Sequence, residues 1–322
     1  MTRVAGGAAL AGAVLLGCAA VFGIPSDVER TTEAGVVVVD ASVVDTGKDV
    51  SPPPPACDPA AELGPAIPVL ATAEVEANAR LGADELEIYF EALRAPTTTK
   101  NHLLRASRAS RDGTFGATTP VFADLDGPDT RESSPSITAD GRSLFFLRES
   151  TNGSVDLIRA TRNGTGFDFP VILTLTNAGR AIRDPFVRGN GEQIWFAARE
   201  TDTSDLDLVV ASRVSDTTYD ATPAGANLAT PDTETAPVLT PDGLTIFFAS
   251  DRRTHRFTEK GENLDVWTAK RSLATLAFEE AKVVPVASES GVAETPSWVS
   301  ADGCRLYFTR GEKDIFVAAR GR

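Results

Sequence analysis

The chain has 322 residues, 42% of them apolar, with 31 basic against 45 acidic side chains and a formal net charge of −14. That length is ample for a buried core, and the acidic balance speaks against a nucleic-acid binder, which needs clustered Lys and Arg in excess of local acids. Two histidines and three cysteines leave little material for a histidine-based catalytic triad, and no HExxH, CxxC or phosphate-loop pattern is present.

Residues 1–17 begin with a single basic residue, Arg3, and continue as an apolar run of small residues and Leu. This is the layout of a secretory signal, too short to span a membrane. The run ends Leu15-Leu16-Gly17-Cys18, which resembles the lipobox of bacterial lipoproteins. The resemblance implies that Cys18 is acylated and becomes the first mature residue. Acyl chains contribute roughly 0.8 kcal/mol per buried methylene, so several chains on one Cys hold a protein durably on a bilayer. Ala19 and Ala20 follow where family experience puts Asp for inner-membrane retention, which favours the outer membrane. Residues 18–60 lack sustained periodicity and contain Pro52-Pro53-Pro54-Pro55, the composition of a flexible, partly polyproline tether.

Residues 61–322 are organised by a repeat. Five units each carry an aliphatic residue, an aromatic and a Phe: Ile88-Tyr89-Phe90, Leu144-Phe145-Phe146, Ile194-Trp195-Phe196, Ile246-Phe247-Phe248 and Leu306-Tyr307-Phe308, at spacings of 50 to 60 residues. Six residues before each Phe stands Asp84, Asp140, Asn190, Asp242 or Asp302, followed by Gly in four units. An Asp-Gly or Asn-Gly pair between apolar stretches predicts a tight hairpin, because these residues tolerate positive φ. A third strand follows in each unit, closed by Arg108, Arg162, Arg213, Arg271 or Arg320. A less regular fourth strand falls in stretches such as 169–175 and 282–286. Four short antiparallel strands per unit describe a propeller blade.

The pattern of Pro, Asp-Gly, an aromatic-Phe strand, Asp-aliphatic-aliphatic and a closing Arg resembles the TolB-like propeller repeat over residues 67–322. Unit 1 departs from it in lacking Pro and Gly at the turn, and unit 3 in carrying Asn190 and Arg188. The expected fold is all-β: a five-bladed propeller whose last blade takes its outer strand from residues 67–75. A six-bladed ring is the alternative. With Cys18 lipidated, Cys57 and Cys304 remain as a pair in an exported protein. Cys57 precedes the closing strand and Cys304 begins the second strand of blade 5, so a Cys57–Cys304 disulfide is expected.

Two groups of residues are candidates for binding. Eight residues before the turn Asp stand Glu76, Glu132, Glu234 and Glu294, with Asp184 near the corresponding place in unit 3. An acidic ring at the channel mouth would suit a cation, with Ca2+ a possible cofactor, or a basic peptide. The alternative is that these carboxylates cap turns and pair with neighbouring blades. The second group is a basic loop in unit 4 with Arg252, Arg253, His255 and Arg256 on the same face, suited to an anionic partner or glycan. These features point to a monomeric, lipid-anchored scaffold of the cell envelope, at the outer membrane and facing the periplasm or the cell surface, that binds an envelope protein or peptide and is not an enzyme. The rival is a glycan-binding or glycan-cleaving propeller using paired carboxylates among Glu132, Asp184, Glu234 and Glu294.

Overall fold

The structure, a computed structural model, describes residues 57–58, 61–70, 75–93, 101–122, 131–168, 170–252, 263–289, 291–311 and 314–321. Signal segment, Cys18 and most of the tether lie outside the described residues.

Five antiparallel sheets surround one axis as the blades of a propeller. The innermost strands are Val75–Leu81, Arg131–Ile137, Arg180–Arg188, Glu234–Leu239 and Glu294–Val299, and each packs against the next around a closed circle. The aromatic-Phe strands are second in every blade: Glu87–Leu93, Ser143–Glu149, Gln193–Arg199, Thr245–Ser250 and Arg305–Arg310. Their Ile or Leu, aromatic and Phe are all buried. A strand sandwiched between two other blades must be apolar on both faces, which explains the continuous apolar runs.

The ring closes as the repeat predicts. Ile67–Leu70 pairs antiparallel with Asp314–Ala319 as the outer strand of blade 5. The closing strand is shorter than the 67–75 expected, because Val75 already opens the innermost strand of blade 1. Cys57 and Cys304 are joined in a disulfide, with their Cα atoms 5.7 Å apart. The irregular fourth strands also differ from expectation. Residues 169–175 do not form one strand: Val171–Ile172 edges blade 2, whereas Thr174–Thr176 crosses over and pairs parallel with Thr218–Pro223 of blade 3. In blade 4 only Lys282–Val283 pairs, and Pro285 then turns the chain into a short 3-10 helix, Pro285–Ala287.

The hairpin chemistry repeats at one end of the ring. Asp140 Oδ1 accepts from Thr138 Oγ1 at 2.7 Å and from the Arg142 amide at 3.0 Å. Asp242 and Asp302 do the same with Thr240 and Ser300. In blade 3 Glu192 takes over, accepting from the Asn190 amide at 2.8 Å. Among the described residues the closing Arg does not pair with the turn Asp. Its Nε donates instead to the neighbouring turn carbonyl, Glu85 O from Arg108, Gly141 O from Arg162, Gly243 O from Arg271 and Gly303 O from Arg320. In three blades that guanidinium also covers an aromatic ring, of Phe115, Phe167 or Phe278, at 4.3 to 5.1 Å.

Candidate functional site in the central channel

The innermost strands set the channel. Each starts at the acidic-ring end, bulges midway, and ends at the hairpin turn that carries Asp84, Asp140, Asn190, Asp242 or Asp302. The bulge appears as a register break in every blade, between Ala77/Arg80, Ser133/Ser136, Arg183/Phe186, Thr235/Val238 and Pro296/Trp298. Asn78, Ser134, Asp184 and Ala236 hold φ near +50° there, the left-handed conformation that side chains other than Gly rarely adopt. The recurrence makes the strain part of the architecture.

Upstream of the bulge, Glu76, Glu132, Glu234 and Glu294 are all essentially inaccessible, at 0 to 1% exposure. Each stands opposite one residue of the second strand: Ala92, Arg148, Ser250 or Arg310. Arg148 Nε donates to Glu132 and Arg310 Nε to Glu294, both at 3.0 Å. Glu234 accepts from Ser250 Oγ and Arg252 Nη2 at 3.0 Å and from Thr230 Oγ1 at 2.6 Å. Arg252 and Arg310 reach on to the carbonyls of Leu228 and Val286 in the preceding connection. The ring is therefore not open to the channel mouth as expected but is buried, and in blades 4 and 5 it brackets the blade to the connection before it. Burial raises the carboxyls of Glu234 and Glu294, the latter to about 7, against the pull of their arginines. Among the described residues no group of three or more His, Cys, Asp or Glu side chains is placed to hold a metal ion, the Ca2+ arrangement considered possible from the sequence included.

Arg252, the described member of the basic loop, belongs to the same brackets. It is half-buried beside Glu234 and lies over the rings of Phe248 and Trp267 at 4.9 and 5.1 Å. Arg253, His255 and Arg256 lie outside the described residues.

Asp184 behaves differently from the glutamates because it sits two residues on, at the bulge. Its Oδ1 accepts from Ser134 Oγ at 3.2 Å and its Oδ2 from Thr235 Oγ1 at 2.6 Å. Ser134 in turn gives its amide to Glu91 at 2.9 Å, and Asn78 Nδ2 reaches Glu91 at 3.2 Å. Asn78 N meets Thr309 Oγ1, which contacts Ser297 Oγ. A polar collar thus circles the channel with at least one group from every blade. Glu91 was not singled out from the sequence. It follows Phe90 where the other units carry Leu147, Ala197, Ala249 or Thr309, and that unmatched charge was its signal. Burial is the main cause that raises its carboxyl, with nearby Asp184 adding to the effect.

Arg80 fills the channel beside the collar. It is 2% exposed, gives Nη1 to the carbonyls of Ala79 and Ser297, and lies 5.8 Å from the Phe186 ring. Burial lowers its pKa to about 10, offset by Asp184 and Glu91, so it stays charged at neutral pH. Two cavities flank this plug. Toward the strand starts, about 270 Å³ is lined by the collar with Arg131, Glu149 and Arg183. Toward the turns, about 100 Å³ is lined by all five innermost strands. There Leu81, Ile137, Val187, Leu239 and Val299 form an aliphatic ring at equivalent positions.

Fold and channel define a five-bladed β-propeller whose blades are cross-braced by buried Glu–Arg pairs. No family model matches the chain, and no curated protein matches it in sequence. Among solved structures it resembles TolB from Acinetobacter baumannii, at 13% identity over 79% of this chain and 57% of that chain, with a TM-score of 0.47. It also resembles a mannose phosphorylase from Leishmania mexicana, MPT-4, at 11% identity over 79% of this chain and 88% of that chain (TM-score 0.49). A structure from Parabacteroides distasonis provisionally assigned to the glycoside hydrolases matches at 12% identity over 77% of this chain and 87% of that chain, with a TM-score of 0.50. The last likeness is one of fold. This chain spans little more than half the length of the Acinetobacter protein.

Proposed function

We propose that the protein is a non-catalytic binding scaffold of the cell envelope, tethered to the outer membrane through an acylated Cys18, that holds a segment of an envelope protein or a peptide. The observation that carries this reading is the cavity of about 270 Å³ at the strand-start end, where Arg131, Arg183 and Glu149 share one lining with the collar. Charges of both signs around a concave polar surface suit a polypeptide segment, which brings both signs and many hydrogen-bonding groups. Export is supported by the signal-like residues 1–18 and by the Cys57–Cys304 bond, since disulfides persist outside the reducing cytosol. The commitment of Glu132, Glu234 and Glu294 to internal arginines argues against their use as catalytic carboxylates.

Beads carrying wild type and an Arg183→Ala/Glu149→Ala variant test the site on envelope extract. A cross-linked partner held by wild type and lost by the variant is expected; equal capture by both sinks the assignment. Fatty-acid labelling of wild type and Cys18→Ser tests the anchor, which fails if wild type takes no label. A glycan-cleaving reading is favoured by one feature, the raised Glu91 carboxyl beside Asp184 in the same cavity. Glycoside turnover by wild type, abolished in Glu91→Gln, would establish it over the scaffold.

A further inference from the structure

We propose that the cavity at the turn end of the channel is a separate binding site for a carboxylate carried on a short apolar body. It lies on the far side of the Arg80 plug from the collar pocket and stands independently of the partner site. In a chain of net charge −14, its lining contains two arginines, Arg80 and Arg188, and no acidic residue. Among the described residues neither guanidinium has a carboxylate within salt-bridge distance, although Asp184 and Glu91 act on Arg80 from the collar side.

Both guanidiniums are held in place by neutral acceptors. Arg80 Nη1 donates to the carbonyls of Ala79 and Ser297. Arg188 donates to Gln193 Oε1 and to the Asp242 carbonyl, both at 3.1 Å. In each case Nε is buried and finds no hydrogen-bond partner among the described residues. A buried unpaired donor on a charged group is unfavourable, and the two arginines that carry them both line one cavity, whose other walls are mainly aliphatic with Phe186 and Trp298.

That combination selects the ligand class. A neutral apolar molecule would fill the cavity and leave both N–H groups unpaired. Phosphate or sulfate would exchange a full hydration shell for an aliphatic ring. A carboxylate on a short apolar stem satisfies both parts, its oxygens accepting from guanidinium N–H groups already fixed in position and its stem covering the apolar wall. The same chemistry has two sources, a free short-chain acid and the carboxy-terminal residue of a polypeptide.

Isothermal titration calorimetry of the oxidised full chain tests the proposal with butyrate against butyramide, and with a Leu-terminated peptide against its carboxy-terminal amide. Saturable binding of at least one acid, absent for its amide, is expected. Butyrate alone binding assigns a free acid, and the peptide acid binding more tightly assigns a polypeptide terminus; either supports the site. Arg188→Gln, at the rim, is expected to weaken binding about ten- to a hundred-fold, the worth of a hydrogen bond to a charged group. Arg80→Gln is expected to abolish it, and because that buried change threatens folding, Arg188→Gln carries the test. No saturable heat with either acid, equal binding of acid and amide, or unchanged affinity in Arg188→Gln overturns it.

Discussion

Glu294 gives the ring its clearest pH signature. Burial lifts its carboxyl to about 7 in the fold, whereas an exposed glutamate in the unfolded chain titrates near 4.3. The folded state therefore holds the proton more tightly, and the associated stability is present below about pH 4 and is lost as pH rises toward 7. The loss amounts to about 4 kcal/mol across that window. Glu294→Gln mimics the protonated acid and is expected to be increasingly stabilised relative to wild type between pH 4 and 7.5, read as urea midpoints; parallel pH profiles would contradict the shift. Arg252 makes the complementary case. As a free loop cation its removal would change stability by less than about 0.5 kcal/mol. As the partner of buried Glu234, Arg252→Ala is expected to cost about 3–5 kcal/mol, because it leaves a buried charge uncompensated. Both residues were visible in the sequence as unusual charges. Their pairing was not, because it depends on the register that sets Glu234 opposite Ser250, which no spacing along one strand reveals. Arg80 was hidden for a similar reason: an Arg in a strand reads as a solvated face, and only closure of the ring buries it.

At the scale of the strand and turn, legibility follows the residues that carry conformational information. The hairpins were readable because Asp-Gly pairs mark positive φ, and Gly141, Gly243 and Gly303 all adopt it. The bulges in the innermost strands were not readable, because Asn78, Ser134, Asp184 and Ala236 take positive φ without a glycine to announce it. Missing the bulge is also what merged Asp184 with the glutamates, although it sits two residues further along and joins the collar instead. The bounds of the outer strands were not readable, because several are two residues long, too short for any periodicity. The turns yield a paired prediction. Gly141, at φ +69°, has nothing within 4 Å of an added Cβ, so Gly141→Ala is expected to cost only the left-handed backbone penalty of about 1–2 kcal/mol. Gly243, at φ +71°, would place that Cβ 2.8 Å from Arg188 Nη2, the atom that donates to the Asp242 carbonyl. Gly243→Ala is expected to exceed Gly141→Ala by about 1 kcal/mol for that hydrogen bond. Equal denaturation midpoints for the two variants would show that Arg188 moves aside freely.

For the whole molecule the decisive feature is one seam. Four blades are each built from one continuous stretch of chain, whereas blade 5 pairs strands more than 200 residues apart in sequence. The closing strand Ile67–Leu70, running in from the tether, completes blade 5 and leads directly into blade 1. Glu85 of the blade 1 turn accepts from Arg305 Nη2 at 2.6 Å and Tyr307 Oη at 3.0 Å of blade 5. The Cys57–Cys304 bond then ties residues 247 apart in sequence. The five tandem units and the pair of cysteines made this closure legible, whereas the role of Glu85 was not, since the two side chains that donate to it across the seam belong to the last unit and it to the first. A long cross-linked loop removes more freedom from the unfolded chain than a short one, in the chain-entropy account, so Cys57→Ser/Cys304→Ser is expected to lose about 2–5 kcal/mol. The same loss should appear on reducing wild type and should be absent on reducing the variant, with melting followed by near-ultraviolet circular dichroism. If the bond acted only on the tether and not on the ring, reduction would leave the propeller transition where it was. A shift of the whole transition, with no separate early phase for blade 5, would instead show that the five blades unfold as one closed unit whose cooperativity depends on this seam.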